Sequence, residues 1–265
     1  MQIVVLCGGL ATRLGTRAAH TPKMLIDVAG VPLAARVLPR FAASGFTEAV
    51  LCVGHLGEVV RDFVGDGARF GLRVRYAEDG PTPRGTWGAL RGARDLLAET
   101  FVVTYGDSLL PLDLQGPWAT LRRSPWATGA MAVWRNRGEL EPSNVRFEGG
   151  RVLSYRRCDE LMTPDGVPDA IDYGATALRR DAVLGLANDE PGERASVEPA
   201  NGEPAGFGSG SLGTLWADLA RRGLLAAHEV GSRFYEIGSP AGLADAEAAI
   251  RAGIFDPVFA PGASS

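Results

Sequence analysis

The feature that most constrains this chain is its first strand-to-helix turn. An apolar run, Ile3-Val4-Val5-Leu6, leads directly into Cys7-Gly8-Gly9. A near-continuous apolar run is what a strand buried on both faces requires. Glycines placed straight after such a strand let the backbone approach a ligand and present N–H groups to it. The same rhythm then repeats. Residues 32–44 read as a helix, with Leu33, Val37 and Phe41 spaced four apart and Gly45 as a stop. Pro39 lies inside it and is expected to kink the helix or move its start. Residues 49–53 form a second buried strand, 57–64 a helix, and 72–76 an alternating strand nearer a sheet edge. Residues 88–97 follow as a helix and 101–104 as another buried strand.

This alternation predicts an α/β fold: a Rossmann-like, mostly parallel mixed sheet with helices on both faces. The second half is less regular. Strands are expected at 130–134, 172–178 and 227–230, and a hairpin at 144–155 turning at Glu148-Gly149-Gly150. Helices are expected at 215–222 and 239–252. Residues 187–213 are rich in Gly, Pro, Glu, Ala and Ser and read as a mobile insertion, either plain surface loop or lid. One domain over 1–252 is expected, with halves at 1–125 and 126–252 and a frayed tail at 253–265.

Composition excludes several classes. The net charge of −4 provides no basic field for nucleic acid. No apolar stretch reaches the ~18 residues a membrane span needs. Residues 1–6 enter a strand at once, which argues against a signal peptide and for a cytoplasmic protein. Three cysteines, Cys7, Cys52 and Cys158, show neither disulfide nor metal spacing. Cys7 and Cys52 stand in apolar runs and are expected to be buried thiols.

The glycine turn continues as Leu10-Ala11-Thr12-Arg13-Leu14, and Thr21-Pro22-Lys23 follows. It lacks the Gly-x-Gly-x-x-Gly dinucleotide pattern and the Gly-Lys-Ser/Thr of a P-loop. Arg13 and Lys23 flank it, and two fixed cations beside a phosphate-cradling loop can neutralise a triphosphate. Asp107, in Tyr105-Gly106-Asp107, leaves the carboxyl end of a strand, where open α/β sheets bind ligands.

Gly8 to Leu14, together with Pro22-Lys23-Met24-Leu25 and Asp27-Val28-Ala29-Gly30-Val31-Pro32, resembles the signature of the nucleotide-sugar pyrophosphorylases. Pro83-Arg84-Gly85-Thr86-Trp87-Gly88 resembles that family's nucleobase segment. Tyr105-Gly106-Asp107 and Tyr235-Glu236-Ile237-Gly238-Ser239-Pro240 resemble its two metal-binding segments. The resemblance covers most of residues 1–184 and 211–252. It is nearest to the compact heptose-1-phosphate guanylyltransferases and related uridylyl-, thymidylyl- and cytidylyltransferases.

The resemblance implies transfer of a nucleoside monophosphate from a nucleoside triphosphate to a sugar 1-phosphate, with release of pyrophosphate. Arg13 and Lys23 are the implied catalytic cations. Leu6, Gly8, Gly9, Ala11, Thr12, Arg13, Gly85, Thr86 and Gly88 are the implied nucleotide contacts. Lys23, Asn144, Arg156, Arg157, Asp172, Tyr173 and Gly174 are the implied sugar-phosphate contacts. Asp107 and Glu236 would hold Mg²⁺, a hard ion that takes carboxylates plus phosphate oxygens. No nucleic acid or membrane partner is expected, and a homodimer is compatible with the sequence. The chain departs from the common pattern in four places. Ala11 replaces a glycine, Glu236 replaces Asp, Asp172-Tyr173-Gly174 stands for Asn-Ala-Gly, and Arg156 or Arg157 takes the place of a lysine. Two other readings compete: a cytidylyltransferase for a phosphonate or other non-sugar phosphate, and a non-catalytic nucleotide-sugar sensor. A nicotinamide oxidoreductase is disfavoured by the missing dinucleotide pattern.

Overall fold

The computed structural model describes residues 1–9, 21–80, 84–140, 142–156, 167–185 and 210–255. The chain opens with β1 (Gln2–Leu6), a small ribbon of β2 (Asp27–Val28) and β3 (Val31–Pro32), and helix α1 (Leu33–Ala43). Then come β4 (Glu48–Val53), α2 (Gly57–Val64), β5 (Arg73–Glu78), α3 (Gly85–Gly92), β6 (Thr100–Tyr105), β7 (Ser108–Leu109) and α4 (Gln115–Arg123). The second half adds β8 (Gly129–Arg135), the hairpin of β9 (Val145–Glu148) and β10 (Arg151–Tyr155), β11 (Ala170–Arg179) and α5 (Arg180–Gly185). It closes with α6 (Leu212–Arg221), β12 (Leu225–Val230), β13 (Tyr235–Glu236) and α7 (Pro240–Arg251). Among the described residues no helix is long and apolar enough to cross a membrane.

One nine-stranded sheet runs in the order β5-β4-β1-β6-β11-β8-β12-β10-β9. β5, β4, β1 and β6 pair in parallel. β11 is antiparallel to both β6 and β8, while β8 and β12 are parallel. The expected α/β architecture is therefore present, with β5 at the edge. Both faces are covered. Ile3 and Val5 pack into one apolar cluster with α1, α4 and α7. Val4 and Leu6 pack into the other with α3, α5 and α6. Burial on both faces explains why these strands read as unbroken apolar runs.

Several boundaries differ from expectation. Pro39 sits within α1 and does not move its start, which is Leu33 after Pro32. Helix α3 begins at Gly85 rather than 88 and gives way to a short 3-10 turn at Arg94–Leu96. Residues 212–213, expected in the mobile insertion, are the first turn of α6, capped by the Ser211 hydroxyl accepting from Gly213 N–H. The rest of the insertion up to residue 209 lies outside the described residues, as does the tail from residue 256. Cys7 and Cys52 are buried free thiols, with Cys7 Sγ donating to the Cys52 carbonyl at 3.2 Å. Burial pushes Cys52 up to about 12 and Cys7 well above its ordinary value. Cys158 lies outside the described residues.

Candidate active site

The carboxyl ends of β1, β4, β5 and β6 form one rim of the sheet, the side on which open α/β sheets bind ligands. At this rim β1 passes into Cys7-Gly8-Gly9 and β6 into Gly106-Asp107. The two turns are locked together. Gly106 N–H donates to the Leu6 carbonyl at 2.9 Å, and a Cβ at Gly106 would lie 2.6 Å from Cys7 Cβ. Real Cβ contacts do not come that close, so glycine is what lets Asp107 stand beside the glycine turn.

Asp107 meets Lys23, which enters from a short 3-10 turn, Lys23–Leu25, after Pro22. Lys23 Nζ lies 2.9 Å from Asp107 Oδ2, with side chains 22% and 24% exposed. The pair is thus accessible to a ligand yet shielded enough to hold its geometry. A second carboxylate is brought in by sheet pairing. β13 pairs antiparallel with β7, placing Glu236 opposite Ser108, and Ile237 N–H donates to the Asp107 carbonyl at 2.9 Å. Gly238 then passes over the ion pair: a Cβ there would be 3.9 Å from Asp107 Oδ2 and 4.0 Å from Lys23 Nζ. Three segments distant in sequence, carrying Lys23, Asp107, and Glu236 with Gly238, therefore meet at one locus.

The sugar-side candidates gather on the neighbouring strand. Because β11 runs against β6, its amino-terminal half reaches the same rim, with Ala175 opposite Thr104. Asp172 Oδ1 accepts from Gly174 N–H at 2.9 Å, and Tyr155 OH lies 3.4 Å from Oδ2. The Asn144 side-chain oxygen accepts from Asp172 N–H at 2.9 Å, so Asn144 fixes this turn. The sheet register shifts here, between Asp172 and Thr176. Burial pushes the Asp172 carboxyl up to about 6, against the pull of the bonds from Gly174 and Tyr155. Arg156 is buried beside Asn144, its N–H donating to the Asn144 carbonyl at 2.8 Å.

Some expected contacts go elsewhere. The Tyr173 side chain points to the opposite face from Asp172: it is 1% exposed, stacks edge-on with Phe234 and bonds the Arg233 carbonyl. Only its backbone is left for a sugar. Leu6 likewise packs in the core and offers only its backbone. Thr86 Oγ1 accepts from Leu212 N–H at 2.9 Å, and Trp87 N–H donates to the Gly210 carbonyl at 2.9 Å. The start of α3 is therefore tied to the start of α6, and Gly88 is buried within that joint. Ala11, Thr12, Arg13 and Arg157 lie outside the described residues. One rim residue was missed in the sequence: Asp79, the residue after β5, which is buried against Gly8 and Gly54. Its only signal was an Asp-Gly pair ending an alternating strand.

Comparison with known proteins shows the family. The profile of the MobA-like NTP transferase domain matches residues 3–224. The N-acetylmuramate alpha-1-phosphate uridylyltransferase of Neisseria meningitidis serogroup B is 35% identical over 129 residues, 47% of this chain and 54% of the relative. The CMP-5'-(3-aminopropyl)phosphonate synthase of Streptomyces rubellomurinus is 37% identical over 156 residues, 58% of this chain and 24% of the relative. The chain thus spans about half, or less, of the length of these curated relatives. The crystal structure of HddC from Yersinia pseudotuberculosis superposes with a TM-score of 0.70 at 19% identity, covering 94% of this chain and 99% of that one. That likeness is one of fold.

Proposed function

This chain belongs to the MobA-like NTP transferase domain family, and we propose that it transfers a nucleoside monophosphate from a nucleoside triphosphate to a sugar 1-phosphate. The observation that carries the reading is the convergence of Lys23, Asp107 and Glu236 beside the Gly8-Gly9 turn. A phosphate oxygen of the sugar 1-phosphate attacks the α-phosphorus, and pyrophosphate leaves. The attacking phosphate is already ionised at neutral pH, so no general base is needed. Catalysis then rests on alignment and charge stabilisation.

Each residue has a task in this scheme. Gly8 and Gly9 let the triphosphate approach the backbone. Lys23 supplies a fixed positive charge for phosphate oxygens, and Asp107 holds that ammonium in place. Arg13 is the second proposed cation, on the triphosphate. Asp172, Asn144, Gly174 and Arg156 form the proposed sugar-phosphate side. Two neighbouring carboxylates with phosphate oxygens to complete the shell are a donor set that suits Mg²⁺. We assign Asp107 and Glu236 as its holders; the ion, when bound, neutralises charge on the phosphates. A cytoplasmic location is part of this reading, supported by the free thiols of Cys7 and Cys52 in the core.

The test is pyrophosphate release with Mg²⁺, a panel of nucleoside triphosphates and a panel of sugar 1-phosphates, heptose 1-phosphate with GTP included. Release with at least one pair is expected; none with any pair would overturn the reading. A second reading, cytidylyl transfer to a phosphonate, is favoured by the likeness to the CMP-5'-(3-aminopropyl)phosphonate synthase. CTP with a phosphonate acceptor belongs in the same panel and separates the two.

A further inference from the structure

The sheet has a second pair of neighbouring parallel strands, β8 and β12. Their carboxyl ends reach the same rim as that of β6, because β11 runs against both β6 and β8. Ligands bind outside such strand ends in open α/β sheets. A cleft of about 230 Å³ lies there, just past the last residues of the two strands. Arg135, at the end of β8, faces Ala170 on β11, two residues before Asp172. With ~3.3 Å per residue and ~4.8 Å between strands, the backbone at Arg135 stands about 8 Å from the proposed acceptor turn.

The turn after β8 supplies two charged side chains to this cleft. The carbonyl of buried Asn136 accepts from Glu139 N–H at 2.8 Å, and its side-chain oxygen accepts from Leu140 N–H at 2.9 Å. Both central residues of the turn have positive φ, 46° at Arg137 and 78° at Gly138. Glycine and asparagine fill such positions without strain. An arginine held there is the kind of local strain that marks functional turns. Arg137 and Glu139 both line the cleft, and neither is ion-paired among the described residues. The other two guanidiniums are locked. Arg135 Nε donates to Glu229 at 2.9 Å, its NH1 bonds Asp169, and its plane lies over the Phe147 ring. Arg233 donates to both oxygens of Asp245 at 2.6 Å and lies over the Tyr235 ring. Groups fixed in this way lose little freedom when a ligand binds.

Charge decides what the cleft takes. Its guanidiniums are answered by carboxylates, and Glu139 and Glu229 would face any phosphate seated there. What it offers is donors and acceptors side by side on planar groups. A hydroxyl both donates and accepts, so hydroxyls on adjacent carbons serve both kinds at once. We infer that this cleft binds a neutral polyhydroxylated group, a sugar ring or polyol chain. The group is either the far end of the acceptor, a source that rests on the proposed transfer, or a separate saccharide.

The experiment compares wild type with two variants that leave the proposed catalytic residues in place. Arg137→Gly deletes the guanidinium at a backbone position that suits glycine, so the turn is kept. Gly231→Phe fills the cleft from its wall, where a Cβ meets nothing within 4 Å. Maltose, inorganic phosphate and β-alanine are titrated onto each protein by saturation-transfer NMR. Maltose is expected to bind wild type and to bind each variant at least about fivefold more weakly. Preference for phosphate or β-alanine, no maltose binding, or maltose binding that both variants leave unchanged overturns the inference. Pyrophosphate release, measured with and without maltose, separates the two sources. If the acceptor's far end occupies the cleft, maltose raises the acceptor KM in wild type and not in Gly231→Phe. If a separate saccharide does, the acceptor KM is the same in both proteins. Absence of pyrophosphate release with every acceptor overturns the proposed function alone, because the NMR titration decides the cleft independently.

Discussion

Gly106→Ala isolates the packing that sets Asp107 beside the glycine turn. The added Cβ would sit 2.6 Å from Cys7 Cβ and 3.1 Å from Cys7 Cα. Ordinary carbon contacts begin near 3.4 Å, so the two turns must part by roughly 0.8 Å. The backbone at Gly106 is not left-handed, so the penalty is steric rather than conformational. Overpacking of this kind costs about 1–3 kcal/mol, or a melting point lower by about 2–4 °C per kcal/mol in a chain of this size. The larger effect is on turnover. A displacement near 1 Å of a positioning group can cost about 100-fold in rate, and here it moves Asp107 and Lys23 away from Gly8. Two assays read these effects: urea unfolding for stability, and pyrophosphate release for kcat/KM. Cys7→Gly removes the atom that clashes, so the double variant should recover at least about 1 kcal/mol relative to additivity. Gly9→Ala is the steric control for the unfolding assay alone, because no described atom lies within 4 Å of a Cβ there. If Gly106→Ala matched the wild type in both assays, the argument that contact between these turns places Asp107 would fail.

Other substitutions separate site chemistry from stability. Asp107→Asn should lower pyrophosphate release by at least about 100-fold, yet shift stability by no more than about 1 kcal/mol, because a partly exposed ion pair adds little; a variant that unfolds instead would assign Asp107 a structural role. Asp172 has its carboxyl raised by burial from 3.8 to about 6. Its folded state holds a proton more tightly than the unfolded chain, so the stability it contributes is present below pH 4 and lost as pH rises through about 6. Urea midpoints of wild type should therefore fall against those of Asp172→Asn across that window, and a constant difference would refute the assignment. Thr86→Val leaves Leu212 N–H without its acceptor and should cost about 1–3 kcal/mol, measured by urea unfolding; a neutral result would mean the N–H finds water.

The parallel half was legible because burial on both faces writes itself into composition. Ile3 to Leu6 and Phe101 to Thr104 needed no partner to be recognised as strands, and α2 falls at the expected Gly57–Val64. The two-residue strands β7 and β13 were not legible, since two residues carry no periodicity. Yet their pairing is what brings Glu236 alongside Asp107. Thr86 and Gly85 are weak helix formers, so the start of α3 was placed late; its first turn is held by Gly210 and by the start of α6, more than a hundred residues away. Tyr173 was grouped with Asp172 as a sugar contact. Strand alternation sends the two side chains to opposite faces. Asp79 escaped notice because an Asp-Gly pair after a strand reads as an ordinary turn, and only the space opened by Gly8 and Gly54 marks it out.

The stitch between α3 and α6 has a consequence for engineering. Trp87 N–H and Leu212 N–H cross between the two halves of the chain in opposite senses, one donated by the first half and one by the second. A chimaera that exchanges the second half to change the acceptor must therefore carry Gly210 to Leu212 in register with residues 85–87. A graft cut just before α6 would keep the bond from Trp87 to Gly210 within one parent but make the bond to Thr86 depend on the register of the incoming residue at position 212. Modular exchange in this scaffold is governed by that short joint rather than by the length or make-up of the insertion that precedes it.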